Sequence, residues 1–180
     1  MSALRDWAWH WGTTAEERAQ PFPCDALLPG YDVGLFRGVT IRASAPTVFR
    51  WLCQLRVAPY SYDWLDNLGR RSPRSLTPGA ERLELGQRVM GIFDLVAFEQ
   101  DRHLTLRLRK PGLFPPLAVS YLIAPRDTQE CRLIAKLAIR ERPGPRDRIG
   151  REIFPWLDGI MMRRQLLNLK DLAERTPDLR

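Results

Sequence analysis

Nucleophiles, metal ligands and phosphate loops are scarce in this chain of 180 residues. There are three cysteines, Cys24, Cys53 and Cys131, far apart and in no CxxC pair. There are two histidines, His10 and His103. A structural zinc site and a disulfide framework both lack the residues they need. Reduced thiols fit a cytoplasmic setting. No metal or cofactor site is expected. The longest apolar run, residues 117–124, is broken by Ser120 and is too short to cross a bilayer as a helix. The first ten residues carry Arg5 and Asp6 and no apolar core of a secretory signal, so none is expected. Lysine occurs only at positions 110, 136 and 170, and arginine supplies the rest of the 28 basic residues.

What is present points to one domain with a substantial core. Hydrophobic residues make up 44% of the chain, and six tryptophans are many for this size. The net charge of +7 suits a solvated basic surface or an acidic partner. The basic residues are scattered rather than clustered on one face, which argues against nucleic acid. A membrane surface remains a lesser alternative, and composition leaves the oligomeric state open.

Residues 1–32 read as an arm. Trp7, Trp9 and Trp11 surround His10. Thr13 and Thr14 each stand three residues before a Glu, a capping-box spacing that predicts a short helix over 15–19. Pro21, Pro23 and Pro29-Gly30 then predict irregular structure.

Residues 33–180 read as the main domain. A strand is expected over 35–43. Ser44 and Pro46 open a helix in which Val48, Trp51, Leu52 and Leu55 recur at helical spacing. Beyond Pro78 the period becomes two. Leu104, Leu106 and Leu108 alternate with His103, Thr105, Arg107 and Arg109, and residues 131–140 alternate likewise, which predicts half-buried strands with a wet basic face. Residues 89–98 and 117–123 are apolar on both faces and read as central strands or strands beneath a helix. A helix is expected over 147–175. Its apolar side would hold Ile149, Ile153, Trp156, Leu157, Ile160, Met161, Leu167 and Leu172, with a kink or break at Pro155. The order is a strand, two short helices, a meander of strands and one long helix. A curved antiparallel sheet that must be covered by its last helix leaves a gap between them, a natural site for an apolar ligand.

The densest chemistry is the stretch Tyr60-Ser61-Tyr62-Asp63-Trp64-Leu65-Asp66-Asn67-Leu68-Gly69. Aromatic rings and polar acceptors so close together suit a cavity rim or a hydrogen-bonded corner. With this motif the chain resembles the START-like, helix-grip superfamily (SRPBCC), which includes polyketide cyclase/dehydrase and lipid-transport proteins. The resemblance is strongest to an uncharacterised bacterial branch. It extends to Trp-Gly-x-Thr-x-x-Glu at Trp11 to Glu17, to Val48, Trp51, Leu52 and Gln54, and to Leu83, Gly86 and Val89. Those relatives carry a Gly-rich, aromatic turn where this chain has Arg56-Val57-Ala58-Pro59. The resemblance implies an α+β helix-grip fold with a cavity, and no particular reaction.

Ligand-facing positions are expected at Trp51, Tyr60, Tyr62, Asp63, Trp64, Asp94, Tyr121, Trp156 and Met161. Each has an ordinary alternative: the rings and Met161 as core packing, Asp63 with Asp66 and Asn67 as turn or cap groups, and Asp94 with Arg88 and Arg107 as outward charges. The partner expected is a small hydrophobic molecule such as a lipid, polyketide or aromatic compound. An enzyme of cyclase, dehydratase or hydrolase type in the same cavity is the second reading. A module docking a membrane or another protein is the third.

Overall fold

The computed structural model describes residues 3–67, 69–110, 112, 114–141 and 145–177. Ala3–His10 (α1), Ala15–Ala19 (α2) and Pro23–Leu27 (α3) precede the first strand. Thr14 caps α2 as its spacing requires. Its hydroxyl accepts from the Glu17 backbone N–H, and the Glu17 carboxylate accepts from the Thr14 N–H. The proline-rich stretch is more regular than expected. Pro23 stands in the first turn of α3, where its missing N–H costs nothing, and the Asp25 carboxylate accepts from the Phe22 N–H.

Six strands follow: Val33–Ile41 (β1), Arg88–Val89 (β2), Phe93–Glu99 (β3), His103–Leu108 (β4), Leu117–Pro125 (β5) and Cys131–Ile139 (β6). They form one antiparallel sheet in the order β1-β6-β5-β4-β3-β2. Residues 89–98 are not one strand. Met90 and Gly91, both at positive φ, turn the chain so that Val89 pairs with Phe93. Ala45–Cys53 (α4), a 3-10 turn over Gln54–Arg56 and the one-turn helix Asp63–Asp66 (α5) lie between β1 and β2. Pro145–Arg175 (α6) closes the fold. This is the helix-grip architecture, a sheet folded about its last helix.

The concave face takes the odd residues of β1, β5 and β6 and the even residues of β4. Leu35, Leu104, Leu106, Val119 and Leu133 pack there with α4 and with Leu166 and Leu169 of α6. α6 continues through Pro155 without a break. Its buried face is Pro155, Asp158, Met162, Gln165, Leu166, Leu169, Leu172 and Ala173, whereas Ile153, Leu157 and Ile160 are exposed. The apolar count misplaces this stripe because two buried positions, Asp158 and Gln165, are polar. The side chains of Arg148, Ile149 and Arg151 lie outside the described residues.

The convex face is wet only in part: Arg107 of β4 is exposed, whereas every residue of β6 is buried. The N-terminal segment covers much of that face. Lys136 is 3% exposed, with its ammonium 2.6 Å from Asp25 and over the rings of Phe22, Tyr31 and Phe36. Arg132 pairs with Glu17 at 2.6 Å and donates to the Gly12 carbonyl. Arg132 and Lys136, two of the charges that alternation assigns to solvent, therefore hold the N-terminal segment down.

Gly12 crosses Gly38 of β1 closely enough that a Cβ on Gly12 would stand 2.1 Å from the Gly38 carbonyl oxygen, and Gly12 has φ +70°. Gly79 has φ +80° in open space. Gly12→Ala is expected to lower the unfolding free energy by about 3 kcal/mol and Gly79→Ala by about 1 kcal/mol. Urea titrations of both variants check this, and equal losses would contradict the close approach.

Candidate functional site

α6 does not close fully onto the sheet. A cavity of about 290 Å³ lies between its first half and the concave ends of β3, β4 and β5. The sheet side is Phe93, Leu108, Leu117, Val119, Tyr121 and Leu137. The helix side is Phe154, Asp158, Met161, Met162 and Gln165, at the i, i+4, i+7 spacing that puts them on one face. Ile92, Phe114 and Leu157 also line it and are exposed, so the cavity reaches solvent at their edge. Three of the four methionines, Met90, Met161 and Met162, face the space, and flexible thioethers suit an irregular ligand.

The polar groups are few. Asp158 Oδ2 accepts from Arg37 Nη2 at 2.9 Å. Arg37 is fully buried and also donates to the carbonyls of Trp9, Phe36 and Pro155. Gly159 makes room, because a Cβ there would stand 3.3 Å from the Trp7 ring and 3.4 Å from the Arg37 guanidinium. Burial pushes the Asp158 carboxyl up to about 6, against the pull of Arg37, and burial lowers the Arg37 pKa. Burial also raises the Tyr121 phenol, which stays neutral and donates to Gln165 Oε1 at 2.7 Å. Gln165 Nε2 in turn donates to the Pro59 carbonyl at 2.6 Å. Asn168, one turn on, donates to the Tyr60 carbonyl at 2.8 Å. These two amides fasten the 59–61 segment to α6.

Of the expected ligand-facing residues, Tyr121 and Met161 line the cavity. Tyr60, Tyr62, Asp63 and Trp64 line a separate groove outside it, with Ser61 common to both spaces. Tyr60 is buried at φ +57°, edge-on to Trp51. Trp51 is a core residue whose indole N–H donates to the Thr176 hydroxyl. Asp94 points away from the cavity and pairs with Arg109 at 3.1 Å. Trp156 stacks on Trp7 of α1. Asn67 bonds the Arg70 carbonyl, a turn role. The Asp66 side chain and Leu68 lie outside the described residues. Arg37 and Asp158 were missed. Their signal was present: a charge among the apolar residues of β1, and an Asp four residues after Phe154 and three before Met161.

All three thiols are buried, and burial raises the pKa of Cys24 and takes that of Cys53 to about 12, which rules against thiolate chemistry at either. Among the described residues no group of His, Cys, Asp and Glu is arranged to hold a metal, and no helix is long and apolar enough to cross a membrane.

No family model matches the chain, and no curated protein matches it. Solved structures do. A protein from Thermobifida fusca aligns with a TM-score of 0.52 at 17% identity, over 79% of this chain and 93% of that one. The ZhuI aromatase/cyclase from Streptomyces sp. R1128 aligns with a TM-score of 0.52 at 15% identity, over 79% and 93%. The di-domain ARO/CYC BexL of the BE-7585A biosynthetic pathway aligns with a TM-score of 0.52 at 16% identity, over 84% of this chain and 53% of that one. At these identities the likeness is one of fold, the helix-grip arrangement of a sheet closed by its last helix.

The raised Asp158 pKa has a defined sign. Between the ordinary aspartate value of 3.8 and about 6 the native state keeps a proton that the unfolded chain releases, so this group makes stability fall as pH rises through that window. Asp158→Asn is expected to remove a difference on the order of 3 kcal/mol between pH 3.8 and 7. Urea unfolding of both proteins across that range measures it, and parallel pH profiles would contradict the assignment.

Proposed function

We propose that this chain binds a small, largely apolar molecule carrying a hydrogen-bond donor, in the cavity between α6 and β3–β5. The observation that carries this reading is one buried carboxylate, Asp158, in the wall of an otherwise mainly apolar cavity. Apolar contact supplies affinity, roughly 25 cal/mol for each Å² removed from water. The carboxylate sets orientation, because a buried acceptor favours a ligand that brings a hydroxyl or amine. The volume of about 290 Å³ lies at the lower edge of small-molecule sites, roughly 300–1,000 Å³, and favours a compact aromatic compound over a long-chain lipid.

The second reading is an enzyme in the same cavity, and one feature favours it. A carboxyl with a pKa near 6 is poised to take up and return a proton close to neutral pH. Asp158 would abstract a proton from carbon next to a carbonyl, the C–H electrons passing to the carbonyl oxygen, and return that proton in the following step. Tyr121 stands near as a neutral phenol. Two fold neighbours being named aromatase/cyclases accords with this at the level of fold.

The probe is 1-naphthol, with naphthalene as the analogue lacking the hydroxyl. Fluorescence titration at pH 7 is expected to show 1-naphthol binding about tenfold more tightly. Val119→Trp, which fills the cavity, is expected to abolish binding of both while the far-UV spectrum stays native. Unchanged affinity in that variant would remove the cavity from the account.

A further inference from the structure

The groove on the other side of the Pro59–Ser61 segment has the opposite chemistry. It measures about 410 Å³ and runs between residues 60–64 and 71–74 on one side and the second half of α6 on the other. Arg71 and Arg74 enter it from the loop after α5, and Arg164 enters from α6. None of these three guanidinium groups has a hydrogen-bond or ion-pair partner among the described residues. The carboxylates beside them are already engaged. Asp171 pairs with Arg175 at 2.6 Å. Asp63 accepts from the Ser72 backbone N–H at 2.9 Å and from the Ser72 hydroxyl at 2.5 Å.

Asp63 thereby fixes the loop that carries Arg71 and Arg74. The Gly69 N–H donates to the Asp63 carbonyl at 2.8 Å, and Asn67 donates to the Arg70 carbonyl at 2.6 Å, which tie the same loop back onto α5. Two further features mark the groove. Trp64 is 73% exposed, a large ring kept in water at one wall. Tyr60, which also lines it, has a buried hydroxyl with no partner among the described residues. A water-facing indole beside three arginines that no described group engages matches a ligand that is flat at one end and anionic at the other.

We infer that this groove is a second binding site, for a small aromatic anion whose phosphate or carboxylate is held by Arg71, Arg74 and Arg164 and whose ring lies on Trp64. The guanidinium fork matches either oxyanion in a bidentate fashion, and the indole face accepts the ring. The site is independent of the inner cavity and of the reading given for it.

The probes are phenyl phosphate and benzoate, with phenol and inorganic phosphate as controls. Calorimetry and the indole N–H resonance of Trp64 report binding. At least one aromatic anion is expected to bind and shift that resonance, with phenol and inorganic phosphate each about tenfold weaker. The better of the two assigns the oxyanion. Arg164→Ala and the double variant Arg71→Ala/Arg74→Ala are each expected to weaken it about fivefold, and about 0.5 M NaCl to weaken it further. Val119→Trp, which fills the inner cavity, is expected to leave it unchanged. Phenol binding as tightly as both anions, an unshifted Trp64, affinity indifferent to the arginines, or loss of binding in Val119→Trp would each overturn the inference.

Discussion

The Arg37–Asp158 ion pair is the constraint on which the interior depends. Both groups are buried, and a charge left alone there would cost several kcal/mol. Arg37 answers that cost with one carboxylate and three carbonyls from three parts of the chain: the N-terminal segment, its own strand and α6. The contact sets where α6 crosses β1. Gly159 and the stacked Trp7 and Trp156 allow the approach. With the helix held there by polar contacts, its neighbouring face does not reach β3–β5. The cavity is what remains, and Asp158 stands in its wall.

A second set of polar contacts divides the space around α6. Gln165 and Asn168, on one side of the helix, hold the carbonyls of Pro59 and Tyr60. Behind that segment lies an apolar cavity whose polarity is concentrated in Asp158, Tyr121 and Gln165. In front lies a groove rich in arginine. The same ten-residue motif therefore contributes to both, through Ser61 on the inside and Tyr62 to Trp64 on the outside. On the far face of the sheet, Lys136 and Arg132 secure the N-terminal helices, which lets every residue of β6 be buried.

The fold was legible because its periodicities are strong. The capping box at Thr14, the strands over 103–108 and 131–139 and the long final helix all appear where local pattern places them. Tyr121 and Met161 could be expected in the cavity for the same reason. What pattern did not carry was tertiary. Alternation cannot tell that a second layer covers the convex face, so Arg132 and Lys136 read as wet. Counting apolar residues on α6 favours Ile153, Leu157 and Ile160, which are exposed, over Asp158 and Gln165, which are buried. A polar side chain joins a core only through its partner, and Arg37 lies 121 residues from Asp158. Within the Tyr60–Gly69 motif the residues from Tyr60 to Trp64 line the outer groove, and Ser61 alone of them also reaches the inner cavity.

The most direct measurement uses the methionine methyl groups, since three of the four in the chain line the cavity. With 13C-methyl methionine and 1-naphthol, intermolecular NOEs are expected to the Met161 and Met162 methyls and absent from the Trp64 indole. NOEs confined to Trp64 and its neighbours, or none to either methionine at saturation, would contradict a ligand cavity beneath the helix.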